Sequence, residues 1–397
     1  MCHRRGAMAR TTPVVNRAPA RTMATSRRGR ARRCTSCDTL VGALAVRASP
    51  AATVAHMTTI ALCGAGMISM AHAAAAEALG IQVTAVASRT TERAERVAAL
   101  TGAQAVRYAD LPAGADIVVV ATPPQCHADD AIRLLDCGAA VILEKPLCRT
   151  LDEADRLVAA AARHGGRLLY AENLAYSPIV QRMLSMVPRI GAITHLEVRA
   201  LQDLPTWGDF TSDDWGGGAL FDLGVHPLAV AMLLANAAGH GRPIAVSAVL
   251  RGGEGHSSDE HAAVTLRYAA GLHAHVIASW QSTNELIWDA QIAGELGVLR
   301  AELQPAYVLE YNGDEVALPV VAGEMAPVVQ LGYVGQLQAM VADLAAGHEP
   351  VMSAVFGREV LQVVLAAYTS AGRAGEEVAL PFAGPRDLTP LELWHQR

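Results

Sequence analysis

From residue 58 onward, short apolar runs alternate with amphipathic ones. Thr58–Cys63 reads as a strand, Gly64–Ser69 as a turn, and the alanine-rich stretch to Leu79 as a helix. Val83–Ala87 is the next strand, Thr91–Leu100 a helix and Ala103–Tyr108 a short strand. Asp116–Ala121 is apolar after its first residue, the mark of a strand covered on both faces in a parallel sheet. Thr122-Pro123-Pro124 stops that ladder, because proline gives no N–H, and opens a loop. A helix beginning near His127 leads to the strand Ala140–Leu143 and then to Glu144-Lys145-Pro146. Strand and helix in alternation predict a parallel sheet with helices on both faces.

Helix Leu151–His164, strand Arg167–Ala171 and a helix ending near Val187 follow, and then the texture changes. Ile193–Leu201, Ile244–Leu250, Ala262–Tyr268, Leu272–Trp280 and Trp288–Ala293 are strand-like runs divided by turns rather than helices. Gly271 marks the bend of a hairpin, so an antiparallel sheet is expected here. Gly332–Ala345 and Ala354–Ser370 read as two late helices. The expected organisation is a first domain over 57–150 and a second over 151–397.

Composition adds bounds. With 52% hydrophobic and 18% charged residues, the chain has enough apolar material for a sizeable core. No apolar stretch is long enough to span a bilayer, so no membrane is expected. Residues 1–56 carry eleven arginines against one acid, Asp38, a balance of +10 that leaves −16 on the rest of a chain whose total is −6. The acidic remainder argues against nucleic acid as a partner. The basic stretch, without periodicity, is expected to be disordered. It reads as an upstream extension ahead of Met57, as a poor export signal, or as a weak zinc hint from Cys34-x-x-Cys37. None of the seven cysteines lies after Cys148, which argues for a reducing, cytoplasmic setting.

One residue stands out chemically. Lys145 is the only lysine among 32 basic Lys and Arg residues, and it falls at a predicted strand end. Ligands in open α/β sheets gather at such ends. The turn Gly64-Ala65-Gly66-Met67-Ile68-Ser69 lies between a strand and a helix, the context a dinucleotide fingerprint needs. Gly64 permits the tight turn, and Gly66 allows a pyrophosphate to approach the helix N-terminus. After the second strand, where an acid would take the ribose of NAD, stands Ser88-Arg89, which suits a 2′-phosphate; NADP is therefore preferred over NAD. Thr122, Pro123, His127, Glu144 and Lys145 complete the candidate cofactor set at the same sheet edge. Taken alone, His127 reads as structural.

Gly216-Gly217-Gly218 is expected to let the backbone run close to a ligand before a helix starts. Asp222 and His226, four apart, would share one face of that helix, the carboxylate fixing the imidazole as a general base. Trp207 and Trp215 precede the glycines and would either cover a sugar ring or pack a loop. His261, His273 and His275 lack three converging ligands, so no metal is expected.

Taken together, G-A-G-M-I-S, E-K-P-L at 144–147, A-E-N at 171–173 and G-G-G-A-L-F-D-L-G-V-H at 216–226 resemble the glucose–fructose oxidoreductase and inositol dehydrogenase family. The resemblance runs from Met57 to about Trp280. It implies an α/β fold: an N-terminal Rossmann domain plus a C-terminal α/β domain with an open, mostly antiparallel sheet, often used for homodimers or homotetramers. It implies that the Lys145–Pro146 bond is cis and that Lys145, Asp222 and His226 line the site; Asn173 and Trp215 are expected as further substrate contacts alongside them. Ala175 departs from the arginine of many members. The expected activity is NAD(P)-dependent oxidation or reduction of a secondary alcohol or ketone of a sugar, cyclitol or related polyol. An NAD-dependent glycoside hydrolase of the same fold, and a non-catalytic NADP-binding regulator, are the rival readings.

Overall fold

The computed structural model describes residues 58–282, 285–319 and 327–396; the basic stretch 1–56, with its Cys34-x-x-Cys37 pair, lies outside the described residues. A six-stranded parallel sheet forms the first layer, in the order β3-β2-β1-β4-β5-β6. Its strands are β1 (Thr59–Cys63), β2 (Gln82–Ala87), β3 (Gln104–Val106), β4 (Ile117–Val120), β5 (Ala140–Glu144) and β6 (Leu168–Ala171). The chain winds outward from β1 to β3 and then returns to β4, so the connections after β1 and β4 leave in opposite directions. Such a reversal opens a crevice at the carboxyl ends of the strands. Every residue of β4 and β5 is buried, as strands covered on both faces must be. β6 extends the parallel sheet past residue 150, where the sequence reading placed the domain boundary. Leu168–Ala171 is one more apolar run after a crossover helix, Leu151–Arg163, and pairs beside β5 for that reason.

The second layer is a nine-stranded sheet in the order β14-β13-β12-β11-β7-β10-β9-β8-β15. The strands are β7 (Ile193–Leu201), β8 (Pro243–Gly252), β9 (Asp259–Tyr268), β10 (His273–Ser279), β11 (Ile287–Gly294), β12 (Gly297–Gln304), β13 (Val308–Tyr311), β14 (Asp314–Glu315) and β15 (Val378–Ala379). Only the β7–β10 pairing is parallel. Along β7 and β9 buried positions alternate with partly exposed ones, the signature of a sheet with one covered face. Its inner residues, Leu196, Val198, Val264, Leu266 and Val276 among them, pack in one core with the helix Val225–Ala237, which is apolar and buried nearly all round. The helix Ala354–Gly372 lies against β8 and against Leu151–Arg163, joining both layers. The periodicity did not mark β12 to β15 or the helix Pro390–His395. The shortest of these have too few residues to show a period. Among the described residues no single helix is long and apolar enough to cross a membrane.

Candidate active site

The carboxyl ends of β1, β2, β4, β5 and β6 carry the candidate residues, and their local chemistry differs strand by strand. At the end of β1, Gly64 has φ +130°, and a Cβ there would lie 2.4 Å from the carbonyl oxygen of Ala121 at the end of β4. The glycine is therefore required by the backbone itself. Gly66 caps the helix Met67–Ala78 with no side-chain hydrogen bond, and a Cβ on it would meet nothing within 4 Å. Free helix N–H groups facing open space are a ready anion site. Met67 is exposed beside it and Ile68 is half-buried. Ser69, in the place of a third glycine, is fully buried against the sheet with its Oγ unpartnered. Ser88 and Arg89 follow β2, with Arg89 exposed. These residues fit a dinucleotide across the crevice.

Two of the expected cofactor residues are engaged within the protein itself. His127 is buried, and both its ring nitrogens are engaged: Nδ1 lies 2.9 Å from the Pro146 carbonyl oxygen and Nε2 2.7 Å from that of Thr122. It ties the loop after β4 to the loop after β5, as the structural reading had it. Thr122 in turn donates its hydroxyl to Asp130 at 2.9 Å, and Pro123 precedes the helix Pro124–Asp136. Glu144 points inward, 2.7 Å from His72 Nε2, and accepts from the Lys145 backbone N–H at 3.0 Å. Burial pushes its carboxyl up, but His72 and Lys145 outweigh that and hold it below its usual range.

Lys145, Asp222 and His226 come together, though not in the expected pairs. Lys145 follows β5 in a cis bond to Pro146 and donates to Asp222 twice, to Oδ1 at 2.7 Å and to the backbone oxygen at 3.1 Å. Its side chain is 14% exposed and that of Asp222 5%. Burial favours loss of the Lys145 proton, but Asp222, Glu144 and Glu172 outweigh it and raise the pKa above the ordinary lysine value. Lys145 is thus a standing ammonium. An ammonium has three N–H donors, and Asp222 takes two. The Phe210 ring lies 5.9 Å from Nζ.

His226 does not pair with Asp222. The helix expected to carry both is broken at Leu223-Gly224, and the chain bends by 46° between Asp213–Asp222 and Val225–Ala237. Its Nδ1 instead meets Glu172 Oε1 at 2.8 Å, and its ring lies 5.5 Å from that of Trp288. Glu172 follows β6 directly, so the strand-end argument that picked out Lys145 could have found it too. Asn173 is buried and donates Nδ2–H to the Leu331 carbonyl at 2.7 Å. Trp215 packs edge-on against Phe210, centroids 4.4 Å apart. Trp207 is partly exposed. His275 faces His195 across β7 and β10, and among the described residues no three His, Cys, Asp or Glu side chains converge as metal ligands.

The glycine run serves packing rather than ligand approach. A Cβ on Gly217 would lie 2.2 Å from Phe221 Cβ, and one on Gly218 2.2 Å from the Asp259 backbone oxygen. Asp259, fully buried, accepts from the Leu220 backbone N–H at 2.8 Å and from the Tyr368 hydroxyl, which itself accepts from Gly218 N–H at 3.0 Å. This lock fixes the short helix Ala219–Asp222. Burial pushes the Asp259 carboxyl up to about 6, against the pull of Tyr368 and the backbone donors. Between its ordinary 3.8 and about 6 the folded chain holds a proton that the unfolded chain has released, so stability falls as pH rises through that window. The loss amounts to up to about 3 kcal/mol. Asp259→Asn is expected to flatten the Tm–pH curve between about pH 4 and 7; parallel curves for both proteins would refute this.

Comparison with known proteins bears on the same residues. The profile described as "Oxidoreductase family, NAD-binding Rossmann fold" matches residues 58–172, and the "GFO/IDH/MocA C-terminal domain" matches 183–300. A dTDP-3,4-didehydro-2,6-dideoxy-alpha-D-glucose 3-reductase of Saccharopolyspora spinosa is 32% identical over 261 residues, 60% of this chain and 75% of that one. A putative UDP-kanosamine synthase oxidoreductase subunit of Amycolatopsis mediterranei (strain S699) is 41% identical over 128 residues, 31% of this chain and 36% of that one. Across three such curated relatives the chain spans only 36% to 49% of their length. Among solved structures, GenD2 from gentamicin A biosynthesis, in complex with NAD, matches with TM-score 0.72 at 24% identity, over 81% of this chain and 96% of that one, a likeness of fold.

Proposed function

Since the chain belongs to the GFO/IDH/MocA oxidoreductase family, we propose that it is a nicotinamide-dependent dehydrogenase or reductase. It interconverts a secondary alcohol and a ketone on a sugar, cyclitol or related polyol. The observation that carries this reading is Lys145, nearly buried and held by two hydrogen bonds to Asp222 with one N–H left over, at the sheet edge where the glycine turn faces open space. Gly64, Gly66 and the start of Met67–Ala78 would hold the pyrophosphate, and Ser88 and Arg89 would stand at the ribose. Bound there, the nicotinamide supplies the two-electron donor or acceptor. Lys145 polarises the substrate oxygen as charge builds on it, and His226 takes or returns the hydroxyl proton.

Absorbance-monitored screening of polyols with NADP and NAD tests the reading. Turnover with a polyol is expected. Tight cofactor binding with no turnover across a broad panel, or release of free sugar from glycosides with no net nicotinamide change, would overturn it. NADP is taken as the preferred cofactor, supported by Ser88-Arg89 and the lack of an acid there. Arg89→Ala is expected to raise the KM for NADP about tenfold, the worth of one charge-assisted phosphate contact, and that for NAD less than about twofold. Equal losses would remove Arg89 from the phosphate. A cytoplasmic setting accords with the free Cys63, Cys126, Cys137 and Cys148. Assembly into homodimers or homotetramers is taken to run through the second sheet, the element that the family resemblance assigns to it.

A further inference from the structure

We propose that Glu172 is the positioning residue that sets which nitrogen of His226 meets the substrate; this rests on the dehydrogenase reading above. Glu172 has no exposed side-chain surface, and His226 only 6%. Its Oε1 lies 2.8 Å from His226 Nδ1 and accepts from the Leu174 backbone N–H at 3.3 Å, while its buried Oε2 has no partner among the described residues. Burying a carboxylate with an oxygen unpartnered costs several kcal/mol, so packing alone would favour an uncharged residue here. The cost has a return in chemistry. A carboxylate only accepts, so Nδ1 carries the proton and the neutral ring presents the lone pair of Nε2.

Three observations make this an arrangement for proton transfer. Asp222, the alternative orienter, is committed to Lys145. The Trp288 ring beside the imidazole limits its rotation. The register Glu144↔Ala171 puts Lys145 and Glu172 at matching positions just past adjacent strand ends, so the ammonium and the dyad stand side by side at one sheet edge. When the alcohol is oxidised, its C–H bond breaks with the hydride going to the oxidised nicotinamide, and its O–H bond breaks with the proton going to Nε2. The Nδ1–H stays with Glu172, whose charge then sits beside a cation. In reduction the same proton returns to the oxygen. The charged group in contact with the ring is Glu172 after β6, which itself lies within electrostatic reach of Lys145 after β5.

Glu172→Gln keeps the size but lets an amide N–H donate to Nδ1, moving the ring proton to Nε2 and removing the base. Expected are a kcat lower by about 30-fold, KM for substrate and Kd for cofactor within about twofold, and an acid limb of the pH–rate profile moved to lower pH. Wild-type kcat and an unchanged profile would overturn the proposal. In a His226→Asn chain the same change is expected to cost less than about twofold, since it acts through the ring; multiplying losses would assign Glu172 another role. A tautomer readout needs no turnover. With 15N-labelled histidine, NMR of the folded wild type is expected to show His226 protonated at Nδ1, and the Nε2-protonated form there would overturn the proposal. A wild type without turnover would instead count against the dehydrogenase reading.

Discussion

Lys145→Met is expected to lower kcat with the best polyol by about a thousandfold. A preorganised charged donor at a developing oxyanion is worth about 3–4 kcal/mol in a water-poor site, and each 1.36 kcal/mol is tenfold in rate. No neighbour can stand in, because the chain has no second lysine and both Lys145 contacts with Asp222 come from one Nζ. Burial would strip the proton from Lys145, but Asp222, Glu144 and Glu172 hold it in place. On the proposed mechanism it is a donor and not the base, and no limb of the pH–rate profile near neutrality is expected to be its own. The substitution also strands the buried Asp222 carboxylate, which costs about 3–5 kcal/mol of stability. Lys145→Met with Asp222→Asn is expected to recover part of the Tm and none of the rate. A loss of less than about tenfold in kcat for a folded Lys145→Met protein would show that the role given to Lys145 is wrong.

Gly64→Ala comes next in expected effect. At φ +130° an L side chain is strained whatever the space, and the new Cβ would press on the Ala121 backbone, which cannot swing aside as a side chain can. Strain and overpacking of this kind each cost about 1–3 kcal/mol, for a total near about 4. β1 and β4 must separate or the turn must open, and either displaces the N–H groups of Met67 and its neighbours. Calorimetric titration is expected to find NADP affinity lowered at least about a hundredfold, with a reduced Tm. Unchanged affinity would remove the turn from the cofactor site. Gly66→Ala, which meets nothing within 4 Å in the free protein, is expected to leave the Tm unchanged.

The residues of the site were legible in the sequence because strand ends announce themselves. An apolar run followed by glycine, proline or a lone charge located Gly64, Thr122 and Lys145 without any tertiary information. The partnerships were not legible. Spacing of four placed Asp222 beside His226 on one imagined helix, but Leu223-Gly224 breaks it, and the partners arrive from β5 and β6. Glycine reads the same in sequence whether it makes room for a ligand or for Phe221 and Asp259, so Gly217 and Gly218 were misassigned. Glu144 and His127 sit at the right edge but face inward, a choice made by His72 and by two backbone carbonyls distant in sequence. Runs such as Ile193–Leu201 were found to the residue because one-sided burial writes a period of two.

The most direct test of the central claim follows one hydrogen. A polyol carrying deuterium on the carbon to be oxidised is turned over by the wild-type chain with NADP, and the reduced cofactor is examined by NMR. Deuterium on one face of nicotinamide C4, with a ketone product that lacks it, is the predicted result. Consumption of substrate with the cofactor left oxidised and unlabelled would contradict the account.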